Sequence, residues 1–305
     1  MRFARSHTEN HGPVLCVLDE DGSDPRILWD EENQRPYTRL QEVLAFTSDE
    51  LAGLATRPGP ADWRPLAPLV PDRNVFCVGR NYADHAAEFA RSGFDATHSA
   101  GSGDVPDKPV IFTKPAHSIV GPGHEVDPHA DVTSALDYEG EIGIVIARSG
   151  YRISRAEALD YVWGYTLIND VTARDLQRDH KQWFLGKSLD TFCPMGPWVA
   201  TADEVDPSKI KIQTFVNDEL RQDSDTSRLI FDIPTIIETL SAGITLQPGD
   251  VIATGTPQGV GIGFDPPRYL KPGDEVVVKA SGLGSLRNTI AHTAPAHTHT
   301  GGAAQ

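Results

Sequence analysis

The stretch Asp137-Tyr138-Glu139-Gly140-Glu141 runs without a break into Ile142-Gly143-Ile144-Val145-Ile146. The β-branched, apolar tail predicts a strand over 139–146 that enters a buried sheet. Alternation along a strand puts Glu139 and Glu141 on the same face, with their carboxylates close together. Two like charges on one partly buried face need a proton, a basic partner or a divalent cation to compensate them. Hard cations such as Mg²⁺, Mn²⁺ and Ca²⁺ take oxygen ligands, so Glu-x-Glu can supply two ligands of a metal site. A solvated pair on an edge strand is the plain structural alternative.

A third ligand is suggested by Val162-Trp163-Gly164-Tyr165-Thr166-Leu167-Ile168-Asn169-Asp170. Residues 163–168 read as a strand, and Asp170 stands just past its end, where a helix is expected to begin. On such a helix Asp170, Arg174, Gln177 and Lys181 share one stripe, either turned to a charged site or simply facing solvent. Farther upstream, Ala-rich spacing after Gly79 reads as a short helix with His85 and Glu88 three apart on one side. A carboxylate within reach of an imidazole orients the ring and raises its basicity, as a general base requires. A surface His beside a surface Glu has the same spacing. Lys187 lies in the irregular Gly186-to-Pro197 stretch, where it can turn inward, and Lys114 ends the strand 109–115.

The rest of the chain must position these groups. Its 305 residues, 39% of them apolar, suffice for a sizeable core. A formal net charge of −16 argues against nucleic acid and anionic membranes as partners. Cys16, Cys77 and Cys193 are widely spaced, which indicates neither a disulfide framework nor a zinc site and fits a reducing cytosol. With no apolar segment after Arg2 and Arg5 and no run of spanning length, the expectation is a cytoplasmic protein.

Residues 1–70 read as a small N-terminal domain, with a strand at Val14–Leu18, a turn at Asp21-Gly22 and a return strand at Arg26–Trp29. Prolines 58, 60, 65, 68 and 71 read as a stiff connector. The main domain spans 71–290 and opens with a buried strand at Asn74–Gly79. Residues 91–108, rich in Gly and Ser, suggest a lid beside His85. Ser154-x-x-Glu157 has the capping-box pattern of a helix through about Tyr161. A strand is expected at 210–216, polar sequence at 219–225, and a helix capped by Asp232 running to Ala242. Two Pro-Gly turns, at 248–249 and 272–273, each feed a strand of a rolled antiparallel sheet. Between them, the glycines of 254–263 let backbone amides approach an anion. Residues 291–305 read as a disordered tail.

Taken together, Val78-Gly79-Arg80-Asn81-Tyr82-Ala83-Asp84-His85, Phe112-Thr113-Lys114-Pro115, Asp137 to Glu141, Asn169 to Gln177, Gly186-Lys187-Ser188 and Thr254-Gly255-Thr256-Pro257 resemble, in order, the fumarylacetoacetate hydrolase family. The likeness covers roughly residues 74–290 and extends to acylpyruvate hydrolase and oxaloacetate decarboxylase-like members. It implies an α+β, mainly β fold: a mixed β-roll catalytic domain, usually in a homodimer or larger assembly. It implies Mg²⁺ or Mn²⁺ held by Glu139, Glu141 and Asp170, and a small 2-oxo acid as substrate. Lys187, Arg174 and Gln177 would face that substrate, with Thr256 near its carboxylate and Lys114 close by. His85 and Glu88 match the pair that acts on water in members that cleave C–C bonds.

On that resemblance, cleavage of an acylpyruvate to pyruvate and a carboxylic acid stands first, because the His–Glu pair is present. The cation would stabilise the enolate, His85 would deprotonate water, and Lys187 would meet the developing negative charge. Decarboxylation of oxaloacetate, which needs only the stabilised enolate, stands second, and tautomerisation of a hydroxy-diene-dioate third. A catalytically silent scaffold is opposed by retention of all these groups, none of which a scaffold needs.

Overall fold

A computed structural model describes residues 1–19, 21–91 and 106–293. Most of the suggested lid and residues 294–305 of the suggested tail lie outside the described residues. Ala291, at the start of that tail, is buried and donates its amide to the Val126 carbonyl at 2.9 Å.

The core is a long mixed sheet whose centre is the hairpin of Gly140–Ile146 and Val162–Asn169. Every residue of both strands is buried, which is why they read as near-continuous apolar runs rather than alternating ones. On one side Val162–Asn169 pairs with Cys193–Thr201, and that strand pairs with Arg2–Thr8. The strands Gly12–Leu18 and Arg26–Asp30 continue the same sheet, so the N-terminal stretch is hydrogen-bonded into it rather than set apart. On the other side Gly140–Ile146 pairs with Val251–Ala253, then come Val75–Gly79 and Val110–Lys114. The pairing of Val251–Ala253 with Val75–Gly79 is parallel, although the Pro-Gly turns suggest antiparallel neighbours.

A second sheet is built on Glu275–Ala280, with Gly284–Ile290 on one flank and Lys211–Val216 and Glu219–Asp225 on the other. Residues 219–225, expected only as polar sequence, form a strand there because alternate residues Gln222 and Ser224 turn inward. Apolar side chains fill the space between the sheets and the helix Ile233–Ser241, among them Ile142, Ile144, Leu167, Ile236, Ile237 and Val278. Asp232 caps that helix by accepting from the Thr235 amide at 3.0 Å. The Ser154–Glu157 side-chain pair does form, at 2.6 Å, but it leads into a single 3₁₀ turn at Ala158–Tyr161 and not an α-helix. Val162 turns extended directly after it, into the central strand.

Register is what gathers the site. Gly140 lies opposite Asn169, so the beginning of one central strand and the end of the other share one rim of the sheet. The ends of Val251–Ala253 and Val75–Gly79 reach the same rim, bringing Thr254–Thr256 and Arg80 there. Among the described residues no helix is long and apolar enough to cross a membrane. All three cysteines are free and buried, and burial pushes their thiols up, to about 12 for Cys16 and Cys193.

Close strand packing depends on Gly164, where a Cβ would stand 2.2 Å from the Ala200 carbonyl oxygen. Backbone in a paired strand cannot withdraw as a side chain can. Gly164→Ala should therefore lower stability by about 2 kcal/mol, read as a lower urea midpoint with the slope unchanged; an unaltered midpoint would mean the strands are not so tightly held.

Candidate active site

Glu139, Glu141 and Asp170 each offer a carboxylate oxygen within 4.8 Å of the others, and all three are buried. Local backbone bonds set this up. The Glu139 amide donates to Asn169 Oδ1 at 3.0 Å, and the Asp170 amide donates to the Glu139 carbonyl at 2.8 Å. The oxygen-only donor set is that of a hard divalent ion.

Cations surround the triad. Lys187 Nζ donates to Glu139 Oε2 and to Asp170 Oδ2, each at 2.7 Å. Arg174 reaches Glu139 Oε1 through Nη1 at 2.7 Å and Asp137 Oδ2 through Nε at 2.8 Å. Lys114 Nζ donates to Asp170 Oδ1 at 2.6 Å, to the Val171 carbonyl at 3.0 Å and to the Lys187 carbonyl. Buried together are four carboxylates, counting Asp137, and three cations.

The imbalance falls on Glu141. Burial, then the neighbouring Asp170 and Glu139 charges, push its carboxyl well above the usual range. Glu139 goes the other way: burial pushes it up, but Lys187 and Arg174 together hold it down, to about 2. Burial pulls Lys187 down, and Asp170 with Glu139 more than offsets that, so its ammonium holds its proton more tightly than usual. An oxygen-lined site short of positive charge fits a divalent cation.

A small cavity opens onto this cluster, lined in part by His85, Glu139, Glu141, Arg174, Lys187 and Thr256. His85 Nδ1 lies 3.4 Å from Glu88 Oε2, on the helix Ala83–Arg91. Thr256 Oγ1 donates to the Gly140 carbonyl at 3.0 Å and accepts from Gln222 Nε2 at 2.7 Å. Gln177, on the same wall, accepts through Oε1 from Arg174 Nη1 at 3.2 Å.

Several placements differ from those read in the sequence. Asp170, Arg174, Gln177 and Lys181 do not share a helix: the helix covers only Arg174–Asp179, after a two-residue strand, Thr172–Ala173, that pairs with Leu136–Asp137. Arg174 and Gln177 still turn inward and are buried, whereas Lys181 lies past the helix, exposed, with φ of 61°. Lys114 does not line the cavity; it is fully buried behind Asp170. The glycine-rich loop does present amides to anions, but the anions are the protein's own. Gly255 donates to Glu141 at 2.8 Å, Gly259 to Glu88 at 3.2 Å, and Gly261 and Ile262 to Asp137 at 2.7 and 3.0 Å. Asp137 opens the acidic motif, yet sequence alone assigns it no role. Its only signal there is adjacency to Glu139, and three of the four donors on its carboxylate come from places only the fold brings near.

Residues 74–291 match the family model for the C-terminal domain of fumarylacetoacetate (FAA) hydrolase. The chain belongs to the fumarylacetoacetate hydrolase family. It is 50% identical over 221 residues to oxaloacetate tautomerase YisK of Bacillus subtilis (strain 168), covering 72% of this chain and 70% of the relative. Among solved structures, a fumarylacetoacetate hydrolase from psychrophilic Exiguobacterium antarcticum matches with TM-score 0.79 and 42% identity over 95% of this chain and 99% of that one. A 5-carboxymethyl-2-hydroxymuconate delta-isomerase from Mycobacterium smegmatis matches with TM-score 0.74 and 36% identity, again over 95% and 99%. Members of this family are enzymes, and the mainly β fold expected from the sequence is the one observed.

The charge cluster has two measurable consequences. Burial and its anionic neighbours favour the protonated form of Glu141 in the metal-free protein, so a cation competes with that proton and Mn²⁺ affinity should rise with pH. Calorimetry in buffers of different ionisation enthalpy should register proton release; a heat independent of buffer would contradict it. Lys114→Met should weaken Mn²⁺ binding about tenfold or more by freeing Asp170 and the Lys187 backbone, as loss of outer ligand contacts does; unchanged affinity would show that Asp170 is held without it.

Proposed function

We propose that the protein is a divalent-metal-dependent enzyme that interconverts the keto and enol forms of a small 2-oxo dicarboxylic acid of the oxaloacetate type. One observation carries the reading: His85, paired with Glu88, faces the same cavity as the carboxylate triad, Lys187 and Arg174. A base, an acidic oxygen site and cations for an enolate therefore meet around one small volume. The likeness to an oxaloacetate tautomerase and to an isomerase of a hydroxymuconate supports proton transfer ahead of hydrolysis.

A bound Mg²⁺ or Mn²⁺, held by Glu139, Glu141 and Asp170, would supply Lewis acidity at the 2-oxo oxygen. The chain's own groups do the remainder. His85, whose Nδ1 lies 3.4 Å from Glu88 Oε2, carries the proton between C3 of the keto form and the 2-oxo oxygen of the enol. Lys187, which keeps its charge in the buried site, opposes the negative charge that develops on the enolate. Arg174 and Gln177 offer donors to the C1 carboxylate, and Thr256 lines the same cavity.

Hydrolysis of an acylpyruvate is the second reading, and a specific feature favours it: a carboxylate-oriented imidazole also activates water. Decarboxylation of oxaloacetate would leave His85 and Glu88 without a task. The reactions separate in one set of assays: loss of the enol absorbance of oxaloacetate, release of pyruvate, and cleavage of an acylpyruvate panel, each with Mn²⁺ and with chelator. The expected result is metal-dependent acceleration of enol–keto exchange above the spontaneous rate. Glu88→Ala should slow it about a hundredfold with Mn²⁺ affinity nearly intact. Acceleration of acylpyruvate cleavage alone would overturn the first reading in favour of the second.

A further inference from the structure

A third cation lines the cavity beyond Lys187 and Arg174: Arg80, at the end of the strand Val75–Gly79 and five residues before His85. Arg174 and Lys187 line the cavity from the side of the triad carboxylates, and Arg80 lines it from the segment that carries the base. Its backbone is unusual. Arg80 has φ of 55°, in the left-handed region where a Cβ-bearing residue is disfavoured and Gly or Asn fits better.

The fold imposes that conformation from both sides. Before it, a Cβ on Gly79 would stand 2.2 Å from Trp183, so the chain passes tight against the indole. After it, Asn81 is clamped by side-chain bonds to the Thr254 carbonyl at 2.8 Å, the Phe231 carbonyl at 3.0 Å and the Phe231 amide at 2.8 Å. A long charged residue kept where glycine would sit more easily is a functional signal when its side chain reaches a site. Here Arg80 lines the cavity with His85 and with Phe112 and Trp183, whose rings meet edge to face at 5.4 Å between centroids.

We infer that Arg80 is the specificity-determining residue that binds the second, distal carboxylate of a dicarboxylic 2-oxo acid. The inference rests on the proposed function and assigns a residue to the second carboxylate of its substrate. A guanidinium fork matches a carboxylate with two parallel hydrogen bonds, which an ammonium cannot reproduce. In a four-carbon 2-oxo diacid the reacting carbon lies between the 2-oxo group and the distal carboxylate. With the head at the triad and the tail on Arg80, that carbon is presented to His85, which the same segment carries.

The test is a binding comparison between two 2-hydroxy acids, malate and lactate, which share a head and differ by the distal carboxylate. In Mn²⁺-loaded wild-type protein malate should bind at least tenfold tighter than lactate. Arg80→Gly and Arg80→Asn, both compatible with the left-handed backbone, should weaken malate tenfold or more, leave lactate within twofold, and not lower the melting temperature. Arg80→Lys, which needs no change of fold, should recover part of the malate preference. Equal weakening of both acids, or no weakening of either, overturns the assignment, as does a wild-type protein that does not prefer malate. Because nothing in this comparison needs turnover, failure to accelerate oxaloacetate exchange with the malate preference intact would sink the proposed reaction and leave Arg80 assigned.

Discussion

The structure depends on keeping four carboxylates almost wholly buried. Asp137, Glu139, Glu141 and Asp170 are all at most 5% exposed, and each would be unstable there alone. Removing one partner from such a cluster leaves an uncompensated charge, which is far more damaging than losing an exposed ion pair. The surrounding residues therefore serve that task as much as chemistry. Lys114 and Lys187 share the two oxygens of Asp170, and Arg174 joins Asp137 to Glu139. Glu141 has a backbone amide as its partner, at Gly255. It is thus the carboxylate for which a further cation matters most.

The loop from Thr254 to Gly263 completes the arrangement without adding any side-chain charge. Gly255 and Gly259 have φ of 97° and 99°, and a Cβ on Gly259 would meet the Arg221 carbonyl at 1.9 Å. Gly255, Gly259 and Gly261 donate their amides to Glu141, Glu88 and Asp137 in turn. The loop thus touches a triad ligand, the partner of His85 and the anchor of Arg174. Those amides hold the carboxylates of the site in place.

What can be read from the sequence is what lies close along the chain. Glu-x-Glu on a strand, Asp170 at a strand end, and His85 with Glu88 one helical turn apart are all set by local periodicity. The family motifs add the order in which those pieces recur. What stays hidden is set by contacts between distant residues. The stripe from Asp170 to Lys181 reads as one helix because nothing nearby forbids it, but pairing of Thr172–Ala173 with Leu136–Asp137 claims the first turn. Lys114 sits behind Asp170 because two strands and a short helix converge there, 56 and 73 residues away in sequence from the groups it binds. The strand Glu219–Asp225 carries so few apolar residues that its identity comes from Gln222, which bonds both Gly140 and Thr256 at the rim of the other sheet.

On the proposed function, a chain with a formal net charge of −16 must still draw in an anion. Distance and screening resolve this. At ordinary ionic strength, exposed charges beyond about 10 Å are largely screened, so most of the surface carboxylates contribute little at the cavity. A cation within about 4 Å of a substrate carboxylate contributes roughly 4 kcal/mol at an effective dielectric of about 20. Arg80, Arg174 and Lys187 all line the cavity, and a divalent ion at the triad adds two more positive charges. The local field is then opposite in sign to that of the whole molecule. Because Glu139 and Asp170 already occupy Lys187, and Asp137 with Glu139 occupies Arg174, much of that attraction appears only when a divalent ion takes over the triad's charge. Metal binding and substrate binding are on this account thermodynamically linked, each strengthening the other through the same buried carboxylates.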